Sequence, residues 1–145
     1  FFRSKTTFPP VSFCQKMKIE HLAIWTKNLE QMRRFYETYF QATAGERYVN
    51  PSKNFQSYFL TFDSGSRLEL MQKPEISENQ YDAGIQFTGI THFAISTGSP
   101  EQVDQLTNRL RADGFTIAGE PRRTGDGYYE SIVLDPEGNR IEITV

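Results

Sequence analysis

IEHLAI (residues 19–24) and ITHFAI (residues 90–95) are one phrase written twice, with histidine, alanine and apolar residues in matching slots. The chain has 2 histidines, His21 and His92, and each copy of the phrase holds one. Alternation of this kind is the period of a β-strand, so the phrase marks the same strand in two copies of one unit. The copies can be followed outward. Residues 18–26 and 89–97 read as strands. Asn28 caps a helix on which Leu29, Met32, Phe35 or Tyr36, and Tyr39 or Phe40 fall at helical spacing. In the second copy Ser99, Pro100 and Gln102 form a helix start, Val103, Leu106 and Leu110 its apolar stripe, and Gly114 its end. An extended segment at 43–49, then strands at 55–62 and 66–72 about the turn Asp63-Ser64-Gly65, complete the first unit. Strands at 115–119, 128–134 and 139–145, the last two about the turn Asp135-Pro136-Glu137-Gly138, complete the second.

Subtraction checks the register. His21 and His92 are 71 positions apart, Asp63 and Asp135 72, and Glu69 and Glu142 73. The last step has a visible cause, because the turn DPEG is one residue longer than DSG. The expected architecture is α+β: two tandem β-α-β-β-β modules, residues 17–72 and 89–145, joined by a polar linker at 73–88. Residues 1–16, with Pro9, Pro10 and no clean period, read as an N-terminal extension outside the fold.

Composition suits one globular domain. Of 145 residues 37% are hydrophobic and 23% charged, enough to bury a core without disulfides. A net charge of −2 lacks the basic excess of a nucleic-acid surface. The sole cysteine, Cys14, has no internal partner, and no apolar run approaches the roughly 20 residues that span a bilayer. Neither the continuous apolar segment nor the small-residue cleavage site of a signal peptide is present. The expected compartment is cytoplasmic, with no nucleic-acid or membrane partner.

The ends of the two modules match as well: Arg67-Leu68-Glu69-Leu70 against Arg140-Ile141-Glu142-Ile143. Side chains alternate between the faces of a strand. If the aliphatic residues pack on the helices, His21, Glu69, His92 and Glu142 lie together on the opposite face of the sheet. Two imidazoles and two carboxylates make an N₂O₂ set suited to Zn, Ni, Co, Mn or Fe(II). Two further coordination positions would let such an ion hold adjacent oxygens of a substrate as a Lewis acid. Any one of these residues alone is more often a packed histidine or a solvated glutamate. Their coincidence in both halves is what favours a metal.

These motifs resemble the vicinal oxygen chelate superfamily, which includes glyoxalase I, fosfomycin-resistance enzymes, extradiol dioxygenases, methylmalonyl-CoA epimerases and bleomycin-binding proteins. The resemblance covers residues 17–145, and LDPEGNRIEI is its most specific stretch. It implies curved mixed sheets around a metal-binding cavity, a divalent metal held by His21, Glu69, His92 and Glu142, and a homodimer. The His-Glu-His-Glu set is similar to that of small bacterial glyoxalase I. That implies a lyase or isomerase that acts on a small substrate with vicinal oxygens through a metal-stabilised enediolate. Glu142 would be the base and Glu69 its partner.

The sequence departs from that enzyme after Glu69. Leu70-Met71-Gln72-Lys73-Pro74 lacks the asparagine and tryptophan associated with glutathione, and the early arginine of the first strand is missing too. Both departures speak against glutathione. Competing readings are an epimerase, a ring-cleaving dioxygenase using His21, His92 and Glu142, and a metal-free drug-binding protein of the bleomycin-resistance kind. In the last, Tyr48, Phe55, Tyr58, Tyr128 and Tyr129 would line the cleft. Arg122 or Arg123, read as part of a glycine-rich loop, would meet an anionic group of the substrate.

Overall fold

The computed structural model describes residues 16–77 and 88–145. Residues 1–15 of the extension and 78–87 of the linker lie outside the described residues. The first half runs β1 (His21–Trp25), α1 (Leu29–Phe40), β2 (Thr43–Ala44), β3 (Tyr48–Asn50), β4 (Phe55–Thr61) and β5 (Arg67–Gln72). The second half runs β6 (Phe93–Ser96), α2 (Pro100–Ala112), β7 (Ile117–Arg123), β8 (Tyr129–Leu134) and β9 (Arg140–Thr144). One sheet has the order β1-β5-β4-β2 with β3 also on β4, and the other has the order β6-β9-β8-β7. In each, the first strand pairs with the last in parallel and the other pairings are antiparallel. The register repeats too, since Ala23 pairs with Glu69 and Ala94 with Glu142. The duplication read from the sequence is a duplication of topology.

Local chemistry explains the helices. The Asn28 side chain accepts a hydrogen bond from the Gln31 N–H at 3.0 Å, and Leu29, Met32, Phe35, Tyr36 and Phe40 are buried along one face of α1. The helix ends where Gln41 adopts a left-handed φ of 55° and its N–H closes on the Tyr36 carbonyl. Ser99 caps α2 by accepting from the Gln102 N–H. Its buried stripe is Val103, Thr107 and Leu110, so Leu106 is replaced in the centre by a threonine. The Thr107 hydroxyl is satisfied there by the Val103 carbonyl and by Ser131 Oγ on β8, each 2.6 Å away. Leu68, Leu70, Ile141 and Ile143 complete the core beneath the two helices, as the alternation of those strands requires.

The halves are tied through α1. Phe35 and Tyr39 pack on Phe115, and the buried Tyr36 hydroxyl donates to Asp135 at 3.0 Å. The Glu137 carboxylate, from the turn before β9, accepts from the Thr26 hydroxyl at 2.5 Å and from the backbone N–H of Lys27 and Asn28. It therefore satisfies backbone donors at the start of α1 from the other module.

Three expectations change. The extended segment at 43–49 is broken into β2 and β3. His92 stands one residue before β6 rather than within it. Arg122 and Arg123 belong to β7, whose register slips between Ile117 and Gly119 and again between Gly119 and Arg122. The loop begins only at Thr124, because such bulges let a strand bend and continue. No helix among the described residues is long and apolar enough to cross a membrane.

Candidate metal centre

Each histidine strand lies beside the glutamate strand of its own sheet, and the parallel register puts both side chains on the face turned away from the helix. His21 Nε2 stands 3.8 Å from Glu69 Oε2, and His92 Nε2 stands 3.2 Å from Glu142 Oε2. The glutamates are largely covered and the imidazoles half-exposed. Metal–nitrogen and metal–oxygen bonds of about 2.0–2.2 Å put neighbouring ligands roughly 3 Å apart, so the His92–Glu142 pair is spaced as two adjacent ligands would be and the His21–Glu69 pair stands wider. The four do not meet. Among the described residues no three His, Cys, Asp or Glu side chains come within reach of one ion. The topology divides the four candidates between the two sheets, one histidine and one glutamate in each.

The half-sites differ in what surrounds them. His21 Nδ1 lies 2.5 Å from Glu20, which also pairs with Arg67 at 2.6 Å. The bond to His21 and then Arg67 hold the exposed Glu20 carboxyl below the usual carboxylate range. A carboxylate on Nδ1 leaves Nε2 free to coordinate. His92 follows Thr91 and has no such carboxylate beside it in sequence. In the second half the singularity is at the glutamate. Burial, and then the charge of neighbouring Glu130, push the Glu142 carboxyl above its ordinary range, while His92 pulls the other way. Glu130 lies on the same face, one pair along from Glu142, and takes an ion pair from Arg122 Nη2 at 2.9 Å.

Arg122 thus shares the face of Glu142 but is already engaged. Arg123 lies over the Tyr129 ring, with 5.9 Å between its guanidinium and the ring centre, and so leaves the site. Tyr58 and Tyr129 turn towards the helices, where their hydroxyls donate to Glu30 and Asp104. Tyr48 and Phe55 do lie on the ligand face, joined by Trp25, which meets Phe55 edge-on at 6.2 Å. Tyr128 is exposed. A groove of about 1490 Å³ runs between the halves past Leu22, Phe40, Phe62, Phe93, Ile95 and Leu106. Of the four candidate ligands it touches only His92.

Sequence reasoning missed Glu20 and Glu130. Glu20 looked like one more charge before a strand. Glu130 was findable: counting back across the DPEG hairpin in steps of two puts it on the face of Glu142.

Comparison with known proteins agrees with this architecture. The chain is 24% identical over 132 residues to the uncharacterized protein YqjT of Bacillus subtilis, covering 86% of this chain and 96% of that one. A possible glyoxalase from Bacillus cereus is 29% identical, with a TM-score of 0.65 over 90% of this chain and 100% of that one. Glyoxalase I from Zea mays superposes with a TM-score of 0.71 over 88% of this chain, but the chain spans only 44% of the maize protein. At 23% identity that likeness shows the fold alone. A family model matches residues 18–143, nearly the whole paired-module region. The chain belongs to the Glyoxalase/Bleomycin resistance protein/Dioxygenase superfamily.

Proposed function

We propose that this protein is a divalent-metal-dependent lyase or isomerase of the glyoxalase I type, acting on a small substrate with adjacent oxygens. The observation that carries the reading is the pair of half-sites, each one imidazole beside one carboxylate. Two donors do not make a centre, so the reading includes a homodimer in which His21 and Glu69 of one copy face His92 and Glu142 of another. Ile19 and Ile90, each two residues before a histidine, are largely exposed and give such a partner an apolar contact. When bound, an ion such as Ni, Zn, Co, Mn or Fe(II) would supply Lewis acidity to two substrate oxygens.

The chain's own residues would do the rest. Glu142 takes a proton from one carbon and returns it to the neighbouring one, and Glu69 serves as its partner from the other half. His21, steadied by Glu20, holds its ring in place.

The test loads purified protein with each of the five ions. It then offers methylglyoxal hemithioacetals of several thiols, a CoA epimerase substrate, and catechols with oxygen. Turnover of a thiol adduct supports the reading, and turnover of catechol alone sinks it. A second reading, a metal-free binder of planar drugs, draws on Trp25, Tyr48 and Phe55 on the ligand face. It requires that no ion binds at stoichiometry.

A further inference from the structure

The ligand face of the first sheet carries a row fixed by register: Trp25 beside Met71, Met71 beside Ser57, and Ser57 beside Tyr48. Phe55 shares the face of Ser57, two residues away, and joins the outer rings. Its ring centre lies 6.2 Å from that of Trp25 and 6.0 Å from that of Tyr48. Trp25 is 40% exposed and Tyr48 55%, whereas the serine between them is buried. The fold does not require such a wall. The matching row of the second sheet is Ser96, Thr144, Glu130 and Arg122, all polar or charged. Contiguous exposed apolar surface marks a contact site more often than chance does, and this one adjoins a half-site. Met71 follows Glu69 by two residues on β5, so the wall begins about 7 Å from that carboxylate along the strand. A cation stands at its rim. The Lys73 ammonium is 5.9 Å from the Trp25 ring centre, near the outer limit of a cation–π contact. Among the described residues no carboxylate pairs with it.

We infer that this wall is a recognition surface for a planar aromatic group bearing a carboxylate. The ring seats over Met71 and Phe55 between Trp25 and Tyr48, and the anion meets Lys73. Shape and charge set the class. Aromatic pairs gain more than their buried area alone provides, which favours a flat ring over an aliphatic group. A peptide tail needs partners for its amides, and the row offers only the buried Ser57 hydroxyl. As a substrate site the wall rests on the reading of His21 and Glu69 as half of the reacting centre. As a binding surface it needs no ion.

Trp25 is the chain's only tryptophan, so its fluorescence reports on the wall directly. The experiment follows that emission on the full chain, without added metal, for the parent, Tyr48→Ala and Lys73→Gln. The probes are benzoate, cyclohexanecarboxylate, benzyl alcohol and glutathione. In parallel, ion-loaded protein is offered the methylglyoxal hemithioacetals of mercaptobenzoate and of glutathione. Benzoate should bind about 3- to 10-fold more tightly than cyclohexanecarboxylate or benzyl alcohol, the size of one aromatic or cation contact. Tyr48→Ala should weaken benzoate by a similar factor. Lys73→Gln should weaken benzoate and leave benzyl alcohol unchanged. Both variants should raise KM for the mercaptobenzoate adduct with little change in kcat. No response to benzoate, an equal response to all four probes, or parental benzoate affinity in either variant overturns the inference. Emission that shifts with protein concentration and ignores benzoate gives the wall to a second copy and overturns it too. Preference for the glutathione adduct removes the wall as a substrate site and keeps the metal reading. Benzoate binding without turnover of any adduct supports the wall and removes the lyase reading.

Discussion

Glu69 and Glu142 occupy the same slot of the same strand in the two halves, each paired with an alanine of the histidine strand. Beyond that alanine and the histidine beside it, their neighbours differ. Glu69 is flanked across the sheet by Phe59 and Ser57, in a field of aromatic side chains that continues to Phe55, Trp25 and Tyr48. Glu142 is flanked by Ile132 and Glu130, with Arg122 beyond. Duplication copied the strand register because register is set by which face must be buried. It left the open face free to diverge, since nothing in the core constrains it. One half has become an apolar wall beside its histidine–glutamate pair, and the other a cluster of charges around its glutamate.

If that contrast has functional meaning, the halves must fail differently. The largest difference is expected between Glu142→Gln and Glu69→Gln. Loss of a general base typically costs about 10²- to 10⁴-fold in rate. Glu142→Gln should show it in kcat, and Glu69→Gln should lose less, chiefly in metal affinity. Equal losses would mean that the two carboxylates are interchangeable.

The second contrast is structural. The turn of the second module caps the helix of the first through Glu137, and Glu137→Ala leaves the Lys27 and Asn28 N–H groups without that acceptor. Hydrogen bonds to charged groups contribute about 1.5–3 kcal/mol, so the variant should lose roughly 2–3 kcal/mol in urea unfolding. In a domain of this size that is about 5–10 °C in Tm. A change within experimental error would show that the halves are held by apolar packing alone.

The smallest effect concerns Asp135, at the head of the same turn. Burial raises its carboxyl, although it accepts from Asn139, Glu137 and Tyr36. The folded chain therefore binds this proton more readily than the unfolded chain. Its contribution to stability is full below the ordinary carboxylate range and is lost as pH rises through the folded value. Asp135→Asn should flatten that part of the stability profile, measured by chemical denaturation across pH 3–7. An unchanged slope would assign the pH dependence to other groups.

Much of this was legible in the sequence, for identifiable reasons. IEHLAI and ITHFAI, the 71-, 72- and 73-residue offsets, and the DPEG hairpin are local patterns, and they yield the strands, the helices and the paired modules. Alternation also put each histidine and glutamate on the correct face. It could not say whether the two pairs meet within one chain or across two, because alternation along a strand carries no information on how sheets face one another. The run Arg122-Arg123-Thr124-Gly125-Asp126-Gly127 misled, because the turn chemistry starts two residues later than the charges suggest. The cap from Glu137 to α1 spans more than a hundred residues and has no local signature.

The claim most exposed to test is that a working centre takes its first half from one copy and its second half from another. Two inactive double variants, His21→Ala/Glu69→Ala and His92→Ala/Glu142→Ala, would be unfolded together and refolded as a mixture. If sites form between copies, half of the dimers are mixed and each carries one intact centre, so about a quarter of the parental metal sites and turnover should return. If the mixture binds no more metal than either variant alone, the two half-sites do not complete one another across copies, and the account is wrong at its centre.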